Sequence, residues 1–311
     1  MRLPLDFLSA FRNVELPPTL AAPAITALLR TVWAAPTFEA QRILLNQATD
    51  LLPLADGVTV DRGSLGGLRA LKITPENPGP GAVLYLHGGG FCVLSPEAYL
   101  SMLTWMAKSA GVTIYAPAYR LGPENPFPAA YEDAVVATRA VLDEVPADQL
   151  VIGGDSAGGN LALGAAATLT QERHTFAGLL LLSPFVDPDI PVSGPSDPML
   201  TERWTDKVQA DYFPKNSADP RIAPIRFDLR GLPPTLIQVA TTEILRDQAL
   251  AAESALRPAG VDVTFEDVPN WYHSGHIFAG LLKDAAVQTE RVGRFVRECL
   301  ESADLASRPA G

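Results

Sequence analysis

The chain predicts an α/β fold: a mostly parallel sheet with helices on both faces. Short apolar runs of strand length alternate with longer helical patterns over most of the sequence, which is the signature of such a sheet. A glycine-rich turn, Gly154-Asp155-Ser156-Ala157-Gly158-Gly159, lies directly between the apolar run Leu150-Val151-Ile152 and a helical stretch from Leu161. A second glycine-rich run, His87-Gly88-Gly89-Gly90, ends an earlier apolar run.

The elements follow in order. Val58 to Val60 and Leu68 to Ile73 read as a hairpin around Gly66-Gly67, an antiparallel opening that is common on such sheets. Val83 to Leu86, Val112 to Tyr115, Leu150 to Ile152, Leu179 to Leu182 and Leu236 to Val239 are continuous apolar runs and predict buried strands. Val261 to Val268 alternates more and predicts the last strand, which makes eight. Helices are predicted between them over Tyr99 to Ser109, Ala129 to Glu144, Asn160 to Gln171, Asp247 to Leu256 and Asp284 to Glu301. Two regions break the alternation. Residues 1–50 read as helices interrupted by prolines, and 187–222 form a Pro- and Asp-rich insertion with Trp204, Tyr212 and Phe213. Both carry apolar residues at helical spacing, so together they predict a helical cap. The core is then 51–186 plus 223–311.

The chain has 311 residues, 47% of them apolar, enough to bury a large core. No apolar run reaches the roughly 18 residues of a membrane span. No charged head followed by a long apolar segment opens the chain, so no secretory leader is expected. Cys92 and Cys299 are too far apart in sequence for a disulfide framework or a metal site of usual spacing. A cytoplasmic protein is the simplest expectation. The net charge of −11, without a basic run, argues against nucleic acid as a partner.

The turn at Ser156 carries the chemistry. A sharp strand-to-helix turn lifts a serine hydroxyl clear of the sheet, near the positive end of the next helix. The five-residue pattern alone arises by chance in roughly one chain in ten of this size, so its company decides. A nucleophilic serine needs a base, and the base an orienting acid. The chain has four histidines. His87 belongs to the glycine run, and His174 lies in a polar loop and is expected to be exposed. His273 and His276 remain, both in the loop after the last strand. The acid is expected after the strand Thr235 to Val239, where Glu243 and Asp247 follow. Asp247 is assigned the role, because the chain order Ser, Asp, His matches the order doubly wound serine hydrolases use. Alone it would read as a helix cap. The three glycines let bare backbone N–H groups approach an oxyanion, and Ala157 offers a further N–H.

These motifs, with Tyr119-Arg120-Leu121-Gly122-Pro123-Glu124-Asn125-Pro126-Phe127-Pro128, Leu245-Arg246-Asp247 and Ile277-Phe278-Ala279, resemble the bacterial hormone-sensitive-lipase family of α/β-hydrolases. The likeness runs from about residue 57 to the C-terminus. It implies an α/β-hydrolase fold with a helical cap, a serine carboxylesterase activity on a small-molecule ester, and no metal or organic cofactor. It places the family's histidine on His273 rather than His276, its oxyanion donors on Gly89, Gly90 and Ala157, and a structural role on His87. The chain departs from the family at Asn125, where His is usual, at Gly122, often Ala, and in Cys92-Val93-Leu94-Ser95, which replaces a usual glycine near the pocket. Cys92 is expected to be a buried thiol.

The predicted catalytic set is Ser156, Asp247 and His273. Trp33, Trp204, Phe185 and Phe213 are the predicted substrate-binding residues, with Trp271 and Phe278 as further candidate walls. A deacetylase, lactonase or amidase of a specialised metabolite would use the same machinery. A receptor on an inactivated scaffold, or a lyase using only the oxyanion hole, are the readings from other classes. A sheet edge or an exposed cap face would support a homodimer.

Overall fold

The structure, a computed structural model, describes residues 18–192, 197–215 and 219–307. Parts of the expected cap, residues 1–17, 193–196 and 216–218, lie outside the described residues.

Eight strands form one sheet in the order β1-β2-β4-β3-β5-β6-β7-β8. They are β1 (Val58–Leu65), β2 (Leu68–Pro75), β3 (Ala82–Leu86), β4 (Thr113–Pro117), β5 (Leu150–Asp155), β6 (Gly178–Leu182), β7 (Thr235–Ala240) and β8 (Val263–Val268). β1 pairs antiparallel with β2, and β2 antiparallel with β4. Every other pairing is parallel. The expected opening hairpin and the eight strands are therefore present.

Successive residues on a strand face opposite sides. Leu84 and Leu86 of β3, Ile152 of β5, and Leu179 and Leu181 of β6 enter one core. Val83 and Tyr85, Val151, and Leu180 and Leu182 enter the other. The helices divide in the same way. α3 (Leu100–Ala110) and α8 (Lys283–Ser307) cover one face through Met102, Leu103, Val292 and Val296. α4 (Ala129–Leu142), α5 (Ala157–Gln171) and α7 (Arg246–Leu256) cover the other. A fully buried Leu or Ile contributes roughly 1.5–3 kcal/mol, while an exposed ion pair contributes about 0–1 kcal/mol. The two cores, rather than the many surface pairs, therefore hold the sheet.

The remaining helices sit over the carboxyl ends of the central strands. α1 (Pro18–Trp33) and α2 (Phe38–Thr49) come from the N-terminal region, and α6 (Glu202–Tyr212) comes from the insertion after β6. Thr201 caps α6, and Thr37 caps α2, each accepting a backbone N–H three residues on. The two regions meet through indoles. The Trp33 and Trp204 rings lie 4.4 Å apart. Trp33 Nε1 donates to Met199 O (3.0 Å), and Trp204 Nε1 donates to Gln41 Oε1 (3.1 Å). Arg42 of α2 ties this layer to the core: it donates to Cys92 O (2.8 Å) and Gly122 O (2.6 Å) and forks onto Glu124 (2.7 and 3.0 Å).

Arg42→Ala strips a charged donor from two carbonyls and should lower the unfolding free energy by about 1–3 kcal/mol. Urea unfolding measures the loss. Limited proteolysis should cut first near α2, and a uniform loss of protection would contradict the role given to Arg42.

Candidate active site

Four loops leave the carboxyl edge of the sheet and converge, as ligand sites do in open α/β sheets. They follow β3, β5, β7 and β8. The register explains the convergence: Leu86 pairs with Gly154, Asp155 with Leu182, Leu182 with Gln238, and Ala240 with Val268, so these strands end close to one another.

After β5 the chain turns at Ser156, with φ 53° and ψ −122°, a conformation that side chains avoid. The surrounding backbone enforces it. Ser156 N–H donates to Leu182 O, and Ser156 O accepts from the N–H groups of Gly159 and Phe185, each at 3.0 Å. Gly158 must be bare: a Cβ there would lie 2.0 Å from Leu86 O. α5 starts at Ala157, so its positive end faces the serine.

After β3 comes the glycine run. Gly89 has φ 109°, and a Cβ on it would lie 2.2 Å from Val93 O. Among the described residues, the N–H groups of Gly89, Gly90 and Ala157 donate to no protein acceptor. Gly89 and Gly90 line the same cavity as Ser156. This loop is held by Asp155, whose role the sequence reading missed. Its Oδ1 accepts from Gly88 N–H (3.0 Å) and Tyr85 OH (3.1 Å), and its Oδ2 from Tyr99 OH (2.7 Å). Burial pushes the Asp155 carboxyl upward in pKa against these bonds.

His87 is structural. It stacks on Tyr119 at 4.2 Å, and its Nδ1 lies 2.7 Å from Gly88 O. Burial lowers its pKa to about 4, so the ring stays neutral. His276 is also buried in the structure, with Nε2 on Gln238 Oε1 (2.7 Å) and a pKa lowered by burial to about 3. His276 does not line the cavity, whereas His273 does. His174, expected to be exposed, is half-buried beside Phe176.

The carboxylate that reaches His273 is not the expected one. Asp247 is exposed in the first turn of α7, where its charge complements the helix end. It does not bond to His273. Glu243, in the turn between β7 and α7, is fully buried and does: His273 Nδ1 donates to Glu243 Oε1 at 3.2 Å. Glu243 Oε2 accepts from Ser183 Oγ (2.8 Å) and Ala240 N–H (2.9 Å). With Nδ1 bonded to a carboxylate, the Nε2 lone pair is left to accept a proton. Burial disfavours charge on His273. The Glu243 bond and the charges of Glu243, Asp197 and Asp155 outweigh it, leaving the pKa above its usual value. Asp197, also not foreseen, is itself pushed up to about 6 by burial.

A cavity of about 300 Å³ opens onto Ser156 and His273. Its walls are mostly apolar and come from α1, α2, the insertion and the His273 loop. Trp33, Trp204 and Phe278 line it, while Phe185 lines a smaller adjoining space of about 30 Å³. Phe213 lines neither. It packs on Phe91, Phe185 and Tyr212, because the chain leaves α6 there and turns inward to the core. Trp271 is likewise packed, beneath Gly275. Cys92 is buried with its thiol pushed up to about 12, which makes it a poor nucleophile. Among the described residues no cluster of His, Cys, Asp or Glu could hold a metal ion, and no helix is long and apolar enough to cross a membrane.

A serine on a strained turn, a histidine oriented by a carboxylate and unpaired backbone donors define a serine hydrolase. The comparisons agree. The family described as alpha/beta hydrolase fold matches residues 83–277. An acetyl-hydrolase from Streptomyces hygroscopicus is 33% identical over 277 residues, covering 83% of this chain and 89% of the relative. An ethyl acetate hydrolase from Pseudomonas putida is 30% identical over 218 residues, covering 66% and 69%. The crystal structure of an esterase from the bacterial hormone-sensitive lipase family superposes with a TM-score of 0.83 at 31% identity, covering 92% of this chain and 99% of that one. The chain belongs to the α/β-hydrolases of the bacterial hormone-sensitive-lipase family, and it is an esterase- or lipase-like serine hydrolase of small esters.

Tyr99→Phe removes the hydroxyl between Asp155 and Gly88. It should cost about 1–3 kcal/mol of stability and slow covalent labelling of Ser156 by a fluorophosphonate. Unchanged labelling would show that the Asp155 cluster does not position the glycine loop.

Proposed function

We propose that this chain is a serine carboxylesterase that cleaves short- to medium-chain acyl esters through an acyl-enzyme. His273 takes the proton of Ser156 as Oγ attacks the ester carbonyl. Glu243 holds the ring and stabilises the imidazolium. The N–H groups of Gly89, Gly90 and Ala157 receive the oxyanion, and one such donor contributes about 3–4 kcal/mol. His273 then protonates the leaving alcohol, and water releases the acid by the same route. The observation that carries the reading is the buried Glu243–His273 pair on the wall of the cavity that holds Ser156.

Residues 1–50 and 187–222 form the cap in this reading, and the remainder forms the hydrolase core. Two buried free thiols, Cys92 and Cys299, fit a reducing compartment and support a cytoplasmic enzyme. The names of the Streptomyces and Pseudomonas relatives support an acyl group at the short end of the range, and a deacetylase of a specialised metabolite would use the same residues.

The first test is hydrolysis of p-nitrophenyl acetate, butyrate, octanoate and palmitate beside Ser156→Ala. Rates should fall with chain length and drop by about 10⁴-fold or more in the variant. Comparable rates on acetate and palmitate would overturn the chain-length reading.

Two carboxylate variants separate the acids. Glu243→Gln should lower kcat by about 10³- to 10⁴-fold, while Asp247→Ala should stay within about twofold, as surface changes do. The reverse ranking would restore Asp247.

The base must be neutral to work, and His273 has a raised pKa, so kcat/KM should rise through a pKa above 6.5. In Glu243→Gln, burial dominates and the acid limb should move to lower pH. A limb that does not move would remove Glu243 from its place beside the base.

A further inference from the structure

Ser156 stands between two spaces of unequal size. The larger, about 300 Å³, contains His273 and Gly89 and runs outward along α1 and α2. The smaller, about 30 Å³, contains Ala157, Phe185 and Val208 but not His273. Gly90, Ser156, Leu200 and Trp204 border both, so Leu200 and Trp204 form the partition. Both side chains are buried. Trp204 is 6% exposed, and its ring is bonded to Gln41 and stacked on Trp33.

An ester bound with its carbonyl oxygen at the Gly90 and Ala157 amides must send its two arms in different directions. The chemistry says which arm goes where. His273 has to protonate the departing oxygen, so the alcohol arm lies on its side, in the large apolar space. The acyl arm is left with the small one. A water-sized group takes roughly 10–15 Å³ of such space, so about 30 Å³ holds about two or three heavy atoms beyond the carbonyl carbon and no long chain.

We propose that the substrates of this enzyme join a small acyl group, acetyl first, to a bulky apolar alcohol. This narrows the esterase reading and rests on it. In the step itself, Ser156 Oγ bonds to the acyl carbon and the C–O bond to the alcohol breaks. The proton held by His273 goes to the alkoxide, which leaves as the alcohol. Water then takes the alcohol's place and releases acetic acid, so one ester and one water give one acid and one alcohol.

Two isomeric esters test this without changing size or overall hydrophobicity: octyl acetate and ethyl octanoate. Each is supplied below its solubility limit, and acid release is followed in a pH-stat. The expected result is a kcat/KM at least about tenfold higher for octyl acetate, because a filled pocket resists extra methylenes. Val208→Ala enlarges only the small space and should reduce that ratio severalfold. Equal rates, or preference for ethyl octanoate, would overturn the assignment of the two spaces while leaving an active esterase in view. Turnover of neither ester would overturn the proposal, and fluorophosphonate labelling of Ser156 would then decide the esterase reading: absence of labelling would remove it too.

Discussion

The buried carboxylate of Asp155 is the constraint on which the site depends. It sits at the last position of β5, one residue before the turn, and three donors from two other segments close on it: Gly88 N–H, Tyr85 OH and Tyr99 OH. A carboxylate taken out of water is costly unless its oxygens are satisfied. Here the donors that satisfy it belong to the end of β3, the loop after it and the entrance to α3. Solvating this one group therefore locks the glycine loop to the serine turn. The Ser156 turn and the glycine loop thus share one anchor.

A second buried carboxylate plays the corresponding part on the opposite side. Glu243 takes N–H and O–H bonds from Ala240 and Ser183 on one oxygen and presents the other to His273. Ser183 follows β6, and Ser274 N–H also reaches Ser183 Oγ at 3.3 Å. The loops after β6, β7 and β8 are thus stitched together around the Glu243–His273 pair. The strain at Ser156 is sustained by the same edge, since Leu182 O and Phe185 N–H, which fix its backbone, flank Ser183. Neighbouring strand ends, brought close by the parallel register, let short loops do this.

The cap adds shape rather than reactivity. Its two indoles tie helices from distant parts of the chain into a wall, and that wall divides the space around Ser156 unequally. Apolar side chains supply most of the lining, so binding on this side rests on burial of apolar surface and discriminates by size and shape. An enzyme built this way separates its two tasks. The sheet edge holds the reacting atoms, and the helices above select what reaches them.

Local pattern by itself determined the strand and helix sequence, the mostly parallel sheet, the serine turn, the glycine loop and the pair of candidate histidines. Each depends on residues adjacent in the chain: apolar runs of strand length, glycines where a Cβ would strike backbone, a serine between strand and helix. Resemblance to a family selected His273. Which carboxylate meets His273 was decided by tertiary structure alone. Glu243 and Asp247 are four residues apart, and both follow β7. One falls in the turn, where it meets Ser183 and His273, and the other is exposed in the first turn of α7. Phe213 is a similar case, one residue beyond α6 and rotated into an aromatic cluster away from the cavity. Asp155 was readable as a residue but not as a partner, because Tyr85, Gly88 and Tyr99 lie far off in sequence. Which buried charge meets which donor is set by how strands and helices stack, and that is a property of the packed chain rather than of any stretch of it.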